Sequence, residues 1–501
     1  MAKRIRILAM VLVLLFGALL VQAANVQFRR AHSLATDPRN PQVVAATLSL
    51  GRGDILAGDG SVLATSIHTP KAVRKYQRSY PMGALMGQIT GFDSPKYGTW
   101  GIESEYNSFL TTHSQPARSL SQLLSPTKST DSVALTVDPS LQKLAASQLA
   151  GRDGAIVVLN PATGAVEAMY SNPTYDPSPL VAPSNVAETL AWAAYLQPNA
   201  GGFAPLTSLA YQRTFPPGST FKVITSTAVF NLQPALASKS YPSASSVSLP
   251  NTNLMLQNYG GGTCGGTVAE MLPPSCDTGF ALLGLDLGAS TMWAQSTAFG
   301  YNARPPLDLP GVAKSNFPTP AQLKYNLPFL AYGSIGQGNV AATALQNALV
   351  AAGIANGGVV MAPHLMREIR DQQGNLVKSY TPTKFRIAAS PDAAAKVSAL
   401  MQQVVTAGTA SGIFNPALKV AAKTGTAQAS LSQVNNHTDD WMIAFAPADH
   451  PVVAIAVLVP NQVLSATGAS VAGPIMNCMI EGGLALAAKQ PVANTSSTCA
   501  G

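Results

Sequence analysis

Pro216-Pro217-Gly218-Ser219-Thr220-Phe221-Lys222 is the stretch of this 501-residue chain with the most chemical content. Pro-Pro-Gly ends the segment before it, and the apolar run Phe221–Phe230 follows, so Ser219 falls in the first turn of a predicted helix. Lys222, three residues on, projects from the same face. The helix N-terminus favours negative charge developing near Ser219 and disfavours an ammonium beside it. A Lys222 amine taken out of water holds its proton less tightly and can accept the one on Ser219. This is an alcohol nucleophile with an amine base, and it needs no histidine. The six histidines (32, 68, 113, 364, 437 and 450) lack metal-ligand spacing, and no metal or other cofactor is expected.

Spacing alone is not specific. Ser125-Pro126-Thr127-Lys128 repeats it, but inside the Ser/Thr/Pro/Gln-rich stretch Thr111–Asp131, which reads as a linker with no helix after it. The Pro-Gly entry and the following helix set Ser219 apart. A second cluster, Lys423-Thr424-Gly425-Thr426-Ala427, continues the apolar strand start Val420-Ala421-Ala422. Gly425 removes a side chain, which would let a substrate backbone approach the strand. Lys423 brings positive charge and Thr424 and Thr426 bring hydroxyls, a set suited to a carboxylate. By itself the cluster also reads as an ordinary strand ending in a turn.

The elements that must position these residues follow from pattern. Val133–Val137 reads as a strand, and Asp138-Pro139 starts a helix whose apolar face is Leu141, Leu144, Ala145 and Leu149. Ala155–Leu159 and Ala165–Tyr170 form a hairpin about the turn Asn160–Gly164. Phe221–Phe230, Thr343–Asn356 and Pro391–Thr406 are helical by composition and spacing, and Val420–Gln428, Trp441–Ala446 and Val452–Val459 read as three successive strands. Trp441 is expected at a strand edge. Residues 25–110 alternate in short segments, such as Gly87–Phe92, and read as β-rich. Hairpin, helices, then strands imply an α+β fold: an antiparallel sheet between helical layers.

The chain is 47% hydrophobic and 11% charged, which excludes intrinsic disorder. Its net charge of +8 is scattered, without a basic cluster interleaved with aromatics, so nucleic acid is not an expected partner. Lys3, Arg4 and Arg6 precede the uncharged stretch Ile7–Ala24, which as a helix is about 27 Å long, close to a bilayer core. The basic side faces the cytoplasm and the rest lies outside. An uncleaved single-pass anchor is favoured over a cleaved signal peptide because the apolar run is long. Export permits disulfides. Cys264–Cys276 is favoured over the pairings with Cys478 and Cys499, since the loop between them is short and rich in Gly and Pro.

Together these pieces resemble the penicillin-binding transpeptidases, relatives of the serine β-lactamases. Gly154–Gly164 is similar to their first domain hairpin, followed by Tyr175-Asp176-Pro177; Gly336-Gln337-Gly338 through Gly357-Gly358 is similar to their long helix and its turn; Gly408-Thr409-Ala410 matches a further tripeptide. Arg52-Gly53-Asp54-Ile55 and Gly101-Ile102-Glu103 resemble the pedestal of class B members. The anchor, the Cys264/Cys276 pair and the length look most like the actinobacterial penicillin-binding protein A group.

The resemblance implies a cytoplasmic tail at 1–6, an anchor at 7–24, a pedestal and linker at 25–130 serving dimerisation or interaction, a transpeptidase domain at 131–489 and a flexible tail at 490–501. It implies a cell-wall enzyme of the membrane, acting in cell shape or division on the D-Ala-D-Ala end of peptidoglycan stem peptides and acylated by β-lactams. A glycosyltransferase and other wall-synthesis proteins are the expected partners. Ser219 and Lys222 are carried over as nucleophile and base, Lys423, Thr424, Gly425 and Thr426 as the substrate-binding strand, and the N–H groups of Ser219 and Thr426 as the oxyanion hole.

One position departs from the pattern. The family's second motif is Ser-x-Asn, and here that place holds Ser275-Cys276-Asp277. Ser275 keeps the proton-relay role. Asp277, when ionised, accepts hydrogen bonds but cannot donate them, and it holds Lys222 protonated against the base role. A catalytically weak penicillin-binding scaffold or sensor is therefore one alternative to a transpeptidase; a D,D-carboxypeptidase or a β-lactamase, in which water takes the acyl group, is another, with the large pedestal and anchor arguing against the β-lactamase.

Overall fold

The computed structural model describes residues 2–29, 51–69, 75–114, 128–182, 184–253, 255–428 and 437–492. Ser125–Thr127 of the second Ser-x-x-Lys copy, most of the linker, and Cys499 with the tail from 493 onward lie outside the described residues.

The sheet that carries the site has five strands, all antiparallel: Val166–Asn172, Gly154–Leu159, Val453–Val463, His437–Ala446 and, at the edge, Ala421–Gln428. Helices Pro139–Leu149 and Gly468–Ala487 pack on one face, and Ala344–Ala355 packs on the other. With both faces covered, the central strands are buried along much of their length, and Ala155–Leu159, Trp441–Ala446 and Val453–Val459 read as unbroken apolar runs rather than alternating ones. The expected hairpin, the helices of 343–356 and 391–406 and the three late strands all form, within a few residues of their expected bounds. Asp138 caps its helix by accepting from the N–H groups of Ser140 and Leu141, and Leu141, Leu144, Ala145 and Leu149 are buried. Removing one of these leucines would cost about 2–5 kcal/mol.

Two expectations need correction. Gly87–Thr90 is not a strand but the end of the helix Gly83–Thr90, stopped at Gly91 with φ 70°. Its buried Gln88 misled the alternation: the side chain donates to Pro173 O and Pro205 O at 3.0 Å each, so a polar residue sits in the core. Trp441 is not at an edge; it lies mid-strand, fully buried, and its indole N–H donates to Pro216 O at 2.9 Å. The N-terminal helix begins at Ala2 and takes Lys3, Arg4 and Arg6 into its first turns. It is long and apolar enough to cross a membrane. Gly468–Ala487 passes the same test, but half of it is buried against the sheet, so it is a core helix.

A second sheet joins the pedestal to the rest, in the order Leu376–Ser379, Met366–Arg370, Ser132–Leu135, Ile55–Leu56, Val62–His68 and Tyr76–Ser79. Ile55 pairs in parallel with Val133, so strands from residues 132–135 and 366–379 complete the pedestal's sheet.

Candidate active site

Ser219 sits in a short 3-10 turn, Gly218–Phe221, that runs directly into the α-helix Lys222–Leu232. Phe221 and Lys222 keep φ near −60° and ψ near −20°. That tight winding eclipses residues three apart, so Ser219 and Lys222 stack on one side of the turn. As a first-turn residue Ser219 has a backbone N–H with no partner inside its helix. The turn is pinned from two sides: Gly218 N–H donates to Gly336 O at 2.9 Å, and Trp441 holds Pro216. It rests on the strand Ala421–Gln428 at Gly425, where a Cβ would stand 2.9 Å from the Thr220 methyl and 3.0 Å from Pro217 O. The glycine therefore admits the Ser219 turn against the strand.

Ser275 and Asp277 come from a different element. The chain turns after the short helix Val268–Met271 and places Ser275 at φ +62°, a strained conformation for a serine. Asp277 is then the first residue of the helix Asp277–Ala298, where a carboxylate is favoured by the helix dipole. The Cys264–Cys276 disulfide forms as expected, with Cα atoms 5.8 Å apart, and ties this motif to the strand Cys264–Gly266.

The two lysines and the carboxylate converge. Lys222 Nζ donates to Ser275 O at 2.5 Å, to Asp277 Oδ1 at 2.7 Å and to Ser275 Oγ at 3.3 Å. Lys423 Nζ donates to Ser275 Oγ at 2.8 Å and to Thr424 O at 2.9 Å. Ser275 Oγ thus accepts from both amines, which leaves its own hydrogen free to point elsewhere. Among the described residues, no hydrogen bond engages Ser219 Oγ.

Both lysines are fully buried. Burial pushes Lys222 below the usual lysine range; the Asp277 carboxylate opposes this and does not cancel it. Burial, reinforced by the charge of Lys222, pushes Lys423 well below that range. Two buried amines facing one carboxylate leave an excess positive charge when all three groups are ionised.

On the far side, Thr426 Oγ1 accepts from Gly468 N–H at 3.0 Å. Asp440, opposite Thr426 on the next strand, is pushed up to about 7 by burial and by neighbouring Asp439. Tyr259 was not singled out in the sequence. Its N–H donates to Asp277 Oδ2 at 3.2 Å, and its hydroxyl donates to Leu464 O at 2.7 Å and Ala466 O at 3.0 Å. It lies in a Gly-rich loop whose sequence carries no signal for this bridge.

A serine at a helix start, two buried lysines and a Ser-x-Asp turn beside an edge strand define a serine acyltransferase. Residues 154–481 match the penicillin binding protein transpeptidase domain, and the chain belongs to that family. Residues 52–132 match the penicillin binding protein A dimerisation domain. The chain is 34% identical to the peptidoglycan D,D-transpeptidase PbpA of Mycobacterium tuberculosis over 96% of its own length and 98% of that protein. It is 35% identical to the PbpA of Mycolicibacterium smegmatis with the same coverage. A ceftriaxone acyl-enzyme complex of M. tuberculosis penicillin-binding protein A superposes with a TM-score of 0.78, at 33% identity, covering 87% of this chain and 99% of that one. The penicillin G acyl-enzyme complex gives 0.77 at 34% identity, covering 86% and 99%.

Proposed function

We propose that this chain is a peptidoglycan D,D-transpeptidase in which Ser219 is the nucleophile and Lys222 its base. The observation that carries the reading is the fully buried Lys222 amine, one helical turn from Ser219 and hydrogen-bonded to Ser275. Neutral Lys222 takes the Ser219 proton as the oxygen attacks the carbonyl of the D-Ala-D-Ala bond. Ser275 relays that proton to the departing D-Ala nitrogen, and an ester to Ser219 remains. An amine of a neighbouring stem peptide then attacks the ester. Its proton returns through Ser275 and Lys222, Ser219 is re-formed, and a cross-link results. The N–H groups of Ser219 and Thr426 receive the oxyanion, which preorganised donors stabilise without rearrangement. Lys423, Thr424 and Thr426 hold the terminal carboxylate. β-Lactams, which present the same acyl group and carboxylate, acylate Ser219.

The N-terminal helix crosses the membrane once with its basic end in the cytoplasm, and the remainder is extracytoplasmic. The pedestal, 25–130, carries the domain 131–489 and meets wall-synthesis partners such as a glycosyltransferase. One observation favours a second reading, a slow acyltransferase acting as a sensor or scaffold: the 2.7 Å pair between Lys222 and Asp277 occupies the base at rest. Fluorescent penicillin decides between them. The transpeptidase reading expects rapid labelling that is lost in Ser219→Ala and kept in Ser125→Ala; wild type that does not label would reject it.

A further inference from the structure

Gly408-Thr409-Ala410 has no role in the mechanism above, yet it touches both the strand of Thr424 and the segment that leads into Ser275. Thr409 Oγ1 lies 2.6 Å from Thr424 Oγ1, on the strand assigned to the substrate carboxylate. The Thr409 backbone N–H donates to Pro273 O at 3.1 Å, two residues before Ser275. The approach is close enough that a Cβ at Gly408 would stand 2.4 Å from the same Pro273 oxygen. Thr409 therefore bridges the strained turn that presents Ser275 and the edge strand that presents Thr424.

We infer that Thr409 is a positioning residue for donor-peptide recognition: it orients the Thr424 hydroxyl toward the terminal carboxylate. This rests on the assignment of Thr424 to that carboxylate. Two hydroxyls in one hydrogen bond hold two hydrogens and use one of them, so the pair keeps one hydrogen for an outside acceptor. The Thr424 backbone is fixed by the bond from Lys423 Nζ to its carbonyl, and Thr424 itself is nearly buried, so its hydroxyl has little freedom beyond rotation. With Thr409 donating, the Thr424 hydrogen turns outward. A carboxylate, which only accepts and carries charge, is the ligand such a donor suits. Without the Thr409 hydroxyl, Thr424 is free to turn its hydrogen elsewhere.

The test compares acylation of the full chain by an acyl-D-Ala-D-Ala peptide and by the same peptide as its C-terminal amide. Thr409→Val is expected to lower kcat/KM for the free carboxylate about tenfold, mainly through KM, and for the amide no more than about twofold. Thr409→Ser, which restores the hydroxyl, is expected to restore wild-type behaviour on both. Equal losses on the two peptides, or none on either, would overturn the role of Thr409 while leaving Ser219 as nucleophile. A wild type acylated by neither peptide would overturn both readings.

Discussion

Among the described residues, two buried groupings of cations about a carboxylate behave in opposite ways. In the pedestal, Arg52 and Arg78 share Glu103: Arg52 Nε and Nη2 stand 3.0 and 2.9 Å from Oε2, and Arg78 Nε 2.5 Å from Oε1. Tyr80 donates to the same carboxylate at 3.2 Å, and Asp93 stands at the rim, 3.5 Å from Arg52. In the active site, Lys222 and Lys423 face Asp277. Burial acts against charge in both places. In the pedestal the pairing wins: burial pushes Glu103 up, but Arg78 and Arg52 outweigh it and hold the carboxyl below the usual range. In the active site burial wins, and both amines fall below theirs. The reason lies in the residue types. Guanidinium is a planar fork that does not give up its proton, while an ammonium is a point charge that does when desolvated. The first grouping keeps its charges; the second can shed one.

The largest test of this contrast is at Lys222. Lys222→Met is expected to lower the acylation rate about 10³-fold, in the range of general-base removal. Lys222→Arg should fail to rescue it, although it keeps the charge beside Asp277; rescue by arginine, measured by stopped-flow with a chromogenic β-lactam, would erase the distinction. Next in size is Glu103→Gln, which leaves two guanidiniums without their buried anion and should destabilise the pedestal by about 3–5 kcal/mol in urea unfolding. The acylation rate of the folded protein should not change. Because the folded carboxyl lies below its unfolded value, its stabilisation is complete above the ordinary carboxylate range and is lost as pH falls through the folded value. The variant should lack that acid limb.

Asp277→Asn is expected to raise acylation roughly threefold to tenfold at neutral pH. Removing the carboxylate removes the negative charge that favours the protonated Lys222, so the rise of rate with pH should move to lower pH. A fall in rate would mean that Asp277 serves the reaction. The smallest effect is expected for Tyr259→Phe, which loses the hydroxyl bonds to Leu464 and Ala466. About 1 kcal/mol of stability should go, with little change in rate; a large drop in acylation would make the bridge part of the catalytic machinery.

Sequence pattern served well where structure is local. Asp138-Pro139, the hairpin at 154–172 and the Pro-Gly entry to Ser219 encode their own geometry through caps, turns and backbone restriction. It failed where neighbours decide. Gln88 is polar yet buried because two distant carbonyls accept its amide. Trp441 lies inside the sheet because the edge strand forms beyond it, and Gly425 answers to Pro217 and Thr220, two centuries of chain away. The stretch Asp277–Ala298 gave little periodic signal, since Gly288, at φ 75° and ψ 160°, breaks it into two helical pieces whose faces do not continue each other.

Residue type and short spacing alone singled out Ser219 with Lys222 and the Lys423 strand, and the family resemblance singled out the departure at Asp277. Which charge is kept and which is shed could not be read there. That depends on how much water is excluded around Lys222 and Lys423 and on what remains near enough to oppose it. Only the assembled sheet, helices and Ser275 turn set those distances.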